Sequence, residues 1–203
     1  MSIVTPEGRL SFPSLFEPKQ GYADSPPKYE ATILLPKDGE GVAEFIRSLQ
    51  AQVKAEIEKK WPNPDNRPGK LRMGIKDGDT VEFENGANAG KLKKEKYPEF
   101  AGCWTIHATS KNAPQVVDST GQFIKSAAQV KAGYWVRISF DIFAYNNKNV
   151  GVGCGLHNVL FVRADEPFGG GSNPAADFAE FFESQAPSEF KGEVTPADND
   201  LFA

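Results

Sequence analysis

Cysteine and histidine are scarce in this chain, at two residues each among 203. Cys103 and Cys154 are too few for a disulfide scaffold and are expected to be small buried hydrophobes. No apolar run approaches the roughly 20 residues needed to cross a bilayer. Residues 1–10 lack the basic start and apolar centre of a secretory signal, so a soluble, intracellular protein with no membrane partner is expected. A zinc site is also disfavoured. Cys103 and His107 stand four residues apart on a predicted strand, about 13 Å at the usual rise, and Cys154 and His157 point to opposite faces unless Gly155 makes a bulge. Neither histidine sits in a nucleophile motif. The run Gly151-Val152-Gly153-Cys154-Gly155 lacks the Lys, the spacing and the following helix of a phosphate loop, so its glycines are read as places of bulging or close backbone approach. No metal and no cofactor are expected.

What is present is an apolar fraction of 39%, ample for one core, and an uneven distribution of charge. Residues 1–163 carry 22 Lys and Arg against 18 acids, whereas residues 164–203 carry one Lys against nine acids. A basic body with an acidic appendage points to a polyanion partner. The division is therefore read as a folded domain over 1–163 and a flexible acidic tail over 164–203, entered through Gly169-Gly170-Gly171-Ser172. Within the tail, Phe178, Phe181 and Phe182 have helical spacing, which predicts a short amphipathic helix over 174–185.

The body reads as strands around one helix. Leu10, Phe12 and Phe16 share a parity, and Tyr29, Ala31, Ile33 and Leu35 alternate with their neighbours across a Gly21–Pro27 turn. Val42, Phe45, Ile46, Leu49, Val53 and Ile57 repeat at helical spacing from Gly41 to Trp61, where Pro62 stops the pattern. Residues 62–102 form a long excursion with a short strand at Val81 and Phe83. Strands follow at 103–109, 115–117, 134–145 and 150–162. The expected fold is mainly β: an antiparallel barrel of the oligonucleotide-binding (OB) type, with one long α-helix and a disordered acidic C-terminal tail.

Binding of a single strand needs cations along the backbone and flat side chains on which bases stack. Residues 134–145 keep one face apolar, through Tyr134, Val136, Ile138, Phe140, Ile142 and Ala144. The other face mixes Trp135, Arg137, Phe143 and Tyr145 with Ser139 and Asp141, a composition unsuited to plain solvent exposure. Trp135 and Tyr145 are the leading stacking candidates, followed by Tyr97. The candidate phosphate partners are Arg137, Lys91, Lys93, Lys94, Lys96, Lys111, Lys125, Lys131 and Lys148. Trp104, by its parity with Ile106 and Ala108, is assigned to the core. In the tail, Asp198 and Asp200 flank Leu201-Phe202, a pattern suited to competing with phosphates for a basic groove and to entering a small apolar pocket on another protein. Two rival readings are a magnesium-dependent nuclease using Asp77 and Asp79, and a structural or adaptor protein; Asp77-Gly78-Asp79 is first a turn signal.

Taken in order, the runs 8–18, 28–37, Asp77-Gly78-Asp79, 111–118, Gly133 to Val136, Phe143 to Asn146, Gly151 to Leu156 and Phe168-Gly169-Gly170 resemble those of bacteriophage single-stranded DNA-binding proteins that combine a barrel with an acidic tail. The resemblance covers most of residues 8–170. It implies an OB fold, sequence-independent binding of single-stranded DNA in phage replication, recombination and repair inside the bacterial host cytoplasm, and no catalysis. It also implies a tail contacting replication proteins such as a DNA polymerase or helicase-primase. Assembly as a homodimer is compatible with this reading.

Overall fold

The alternation over 28–36 and the longer one over 135–146 decide the architecture, because each leaves one apolar face that only a closed or layered sheet can bury. The computed structural model describes residues 2–21, 25–147 and 149–169. Five strands close a barrel: β2 (Gly8–Lys19), β3 (Lys28–Pro36), β6 (Cys103–Ser110), β8 (Trp135–Asn146) and β9 (Val150–Arg163). β2 pairs antiparallel with β3, β3 with β6, β8 with β9, and β8 with β2, while β6 and β9 run parallel. Numbering these strands 1 to 5 in chain order gives the ring 1-2-3-5-4-1. The expected OB-type barrel is borne out.

Short strands decorate it. β1 (Ile3–Val4) extends the β8 edge, and β7 (Gln115–Val117) runs parallel to β9. Between helix and barrel strand β6, β4 (Arg72–Met73) pairs with β9 and β5 (Ile75–Asp77) with β6. The excursion over 62–102 thus contributes these two strands, two 3-10 turns (Pro64–Asn66 and Pro98–Phe100) and one α-helical turn, α2 (Lys93–Lys96), while its expected strand at Val81 and Phe83 is reduced to isolated bridges at Glu82 and Phe83.

Helix α1 (Val42–Lys60) lies within the expected 41–61 limits. It begins beyond Gly41, whose φ of 70° suits glycine, and ends where Trp61 precedes Pro62, a position that disfavours helical ψ. Val42, Ile46, Leu49 and Val53 form its buried face, and the helix packs on β8 and β9. Burying each such side chain contributes roughly 1.5–3 kcal/mol. Inside the barrel, Leu10, Ile33, Leu35, Ile106, Val136, Ile138, Phe140 and Val159 are sealed from solvent. Trp104 is partly buried against this core, with the Lys37 ammonium 5.3 Å from its ring centroid.

One expected parity fails in β2. Its register on β3 shifts between Ser11 and Ser14, and Phe12 has φ of 47°, in the left-handed region that a bulky residue rarely enters. The bulge sends Phe12 outward and brings Leu15 into the core, so Leu10 and Phe12 do not share a face.

No described helix is long and apolar enough to cross a membrane. The expected tail helix over 174–185 lies outside the described residues.

Candidate nucleic-acid interface

An OB barrel offers ligands the face of its second and third strands, flanked by the loops joining strands 1–2 and 4–5. In this protein that face carries an open groove of about 890 Å³. Thr32 from β3 and Thr105, His107 and Thr109 from β6 form part of its floor. Ser25 comes from the β2–β3 connection, Lys28 from the start of β3, Asn147 and Asn149 from the β8–β9 loop, and Arg72, Lys76, Phe83, Glu84 and Lys93 from the excursion. Phe12, Phe100, Phe143 and Tyr145 add to the aromatic lining.

The rings are positioned by identifiable devices. Phe143 faces Gly153 across the β8–β9 ladder, and Tyr145 faces Gly151. A Cβ at Gly153 would stand 2.9 Å from Phe143 Cζ, so this glycine lets the ring lie close to the neighbouring backbone, whereas a Cβ at Gly151 would first meet the backbone carbonyl of Arg72, its partner in β4. The ring centroids are 6.1 Å apart. Phe12 packs edge-on against Tyr97 at 4.9 Å, and Tyr97 in turn approaches Phe83 and Phe100. Of the four exposed large hydrophobics among the described residues, Phe12 and Phe143 both line this groove.

Four cations, Lys28, Arg72, Lys76 and Lys93, line the same groove with a single acid, Glu84. Lys93 lies 5.9 Å from the Phe83 centroid, and burial lowers its pKa, with the nearby Lys76 charge adding to the effect. His107 Nδ1 lies 3.0 Å from Thr32 Oγ1. Cys154, buried in the floor, has its thiol pushed up to about 12, which removes it from thiolate chemistry.

The sequence-derived candidates divide among several places. Lys93 and Tyr145 line the groove, and Tyr97 stands behind Phe12. Lys148 lies outside the described residues, between the groove-lining Asn147 and Asn149. Lys94 is engaged with Asp79, Lys96 lies over the Tyr97 ring, and Lys91 and Lys111 are exposed elsewhere. Lys125 and Lys131 line a second depression, beside residues 13–19 of β2.

Trp135 and Arg137 do not join Tyr145, although they share its strand parity. Ten residues separate Trp135 from Tyr145, about 33 Å of extended chain. Trp135 Nε1 donates to Asp165 Oδ2 at 2.6 Å and lies under the Arg163 guanidinium at 4.3 Å. Arg137 donates to Glu7 and to the Thr5 carbonyl. Arg9 donates to the Glu166 carbonyl and lies over the Phe168 ring, while Phe168 N donates to Ala132. These contacts bind residues 165–168 to the barrel. Asp198, Asp200, Leu201 and Phe202 lie outside the described residues.

The acids of the nuclease alternative are otherwise engaged. Lys37 Nζ bridges Asp77 at 2.7 Å and Asp79 at 2.8 Å, and Asp79 also accepts from Lys94 and from Gly102 N–H. Among the described residues no group of three or more His, Cys, Asp or Glu is placed to hold a metal ion. Lys37, followed by the Gly102 amide, lowers the Asp79 pKa to about 2 from its ordinary 3.8. A depressed carboxylate pKa favours the fold above the unfolded-state value, and that contribution disappears as pH falls through the folded-state value. Asp79→Asn is therefore expected to lower the melting temperature at pH 7 but to converge with the parent chain as pH falls from 4 to 2. Thermal melts across that range check it, and a constant difference between the two proteins would refute it.

A family model described as Enterobacter phage Enc34, ssDNA-binding protein, matches residues 1–190. Among solved structures, the single-stranded DNA-binding protein of bacteriophage Enc34 in complex with ssDNA is 26% identical, with a TM-score of 0.69, covering 83% of this chain and 89% of that one. The bacteriophage T7 single-stranded DNA-binding protein gp2.5 is 17% identical with a TM-score of 0.51, covering 85% of this chain and 98% of the other, a likeness of fold. Protein p50 of Acyrthosiphon pisum secondary endosymbiont phage 1 is 29% identical over 181 residues, 84% of this chain and 88% of that protein.

Proposed function

The chain belongs to the Enc34 single-stranded DNA-binding protein family, and from that premise we propose that it coats single-stranded DNA without sequence preference through the groove between Phe12 and Tyr145. The observation that carries this reading is the convergence of Phe12, Phe83, Phe143 and Tyr145 with Lys28, Arg72, Lys76 and Lys93 on the ligand face of an OB barrel. Bases would stack on the rings, and phosphates would sit against the cations.

Around this activity we place phage DNA replication, recombination and repair. Residues 164–203 act in the proposal as an acidic tail that competes with DNA, its Asp198 to Phe202 tip engaging replication proteins such as a DNA polymerase or helicase-primase. The domain over 1–163 binds the strand and catalyses nothing.

Fluorescence anisotropy with labelled oligo-dT and a matched duplex, at two salt concentrations, tests the central claim. Preferential binding of the single strand that weakens with salt is expected. Equal affinity for both forms would overturn it, and no binding of either at low salt would overturn it and favour a structural or adaptor role.

A further inference from the structure

A groove built for a polyanion should not contain an acid, yet Glu84 stands inside this one. Its Oε1 accepts from Lys76 Nζ at 2.7 Å, and its Oε2 lies 4.0 Å from Arg72 Nε. Lys76 comes from β5 and Arg72 from β4, so the carboxylate joins two separately positioned cations, each with part of its side chain open to solvent. The two oxygens of a carboxylate address these cations much as the two non-bridging oxygens of a phosphodiester would. The pair with Lys76 is the main reason Glu84 titrates below the usual carboxylate range, so it is ionised at neutral pH.

We propose that Glu84 occupies the seat of one phosphodiester of the bound strand, holding Arg72 and Lys76 in place until a DNA phosphate displaces it. The inference rests on the groove being the single-strand site. While Glu84 fills the seat it cancels one of the two positive charges that Arg72 and Lys76 present, so binding at this position exchanges one anion for another and neutralises about one DNA phosphate fewer. The strand then gains less from this seat than from an open cation pair, which favours rapid release.

Glu84→Gln in the full chain should bind oligo-dT roughly threefold to tenfold more tightly at low salt, the scale of one unscreened like charge removed from an ion-pair distance. The plot of log affinity against log salt should steepen by about one counterion, because one further DNA phosphate is neutralised and its condensed counterion released. A merely supporting role for Glu84 would give the reverse: weaker binding with an unchanged slope. That result, or no change in either quantity, overturns the proposal. Thermal melts verify folding, with Glu84→Ala as the second variant. Absence of binding by the parent chain would instead refute the groove reading itself.

Discussion

Replacing Phe143 and Tyr145 together by alanine is expected to weaken oligo-dT binding severely while leaving the melting temperature nearly unchanged. Each ring that stacks a base contributes roughly 1–3 kcal/mol, or about five- to a hundredfold in affinity. Phe143 is 42% exposed, so its removal takes little from the core. Both residues sit near the turn of the β8–β9 ladder, away from Val136, Ile138 and Phe140, which fill the barrel. The contrast is Trp135→Ala. Trp135 supports Arg163 and receives Asp165 as its hydrogen-bond partner, so its loss should lower the melting temperature and spare affinity. Anisotropy and thermal melts on both variants decide the matter. Loss of affinity in Trp135→Ala without loss of stability would move the stacking surface to the opposite end of β8.

The sequence carried the barrel and only part of the groove, for physical reasons that individual residues illustrate. Period-two and period-3.6 patterns are local, and they were sufficient to locate β3, α1, β6, β8 and β9. Tyr145 was legible because an aromatic on the polar side of a strand is conspicuous. Phe12 was not, since a strand pattern says nothing about the positive φ that turns it outward; Pro13, which interrupts the run, was the available signal. Arg72, Lys76 and Glu84 lie in an excursion with little periodicity, and only the tertiary pairing of β4 with β9 and β5 with β6 brings them to the face. The error of grouping Trp135 with Tyr145 has a related cause: parity assigns a side of the sheet, whereas position along a 12-residue strand assigns an end of the barrel. Gly151 and Gly153 were legible as sites of close approach, but what approaches each depends on cross-strand register.

Shortening the chain to Gly169 is expected to tighten single-strand binding by roughly tenfold at low salt, with the difference vanishing as salt rises. The deletion removes seven acids and one Lys. If that charge competes for the groove cations, its loss frees Lys28 and Lys93, which Glu84 does not hold, for phosphate and steepens the salt dependence. Where the cut is placed matters. Ending at Arg163 would also remove Asp165, Glu166 and Phe168, and with them the partners of Trp135 and Arg9. That shorter form should melt at a lower temperature than the form ending at Gly169, although both lack the acidic segment. Comparing the two truncations with the full chain in anisotropy and thermal melts therefore separates charge competition from the support that residues 165–168 give the barrel. Identical affinities for the full chain and the Gly169 form across the salt series would dispose of competition. Equal melting temperatures for the two truncations would show that the Trp135 and Arg9 contacts add nothing to stability.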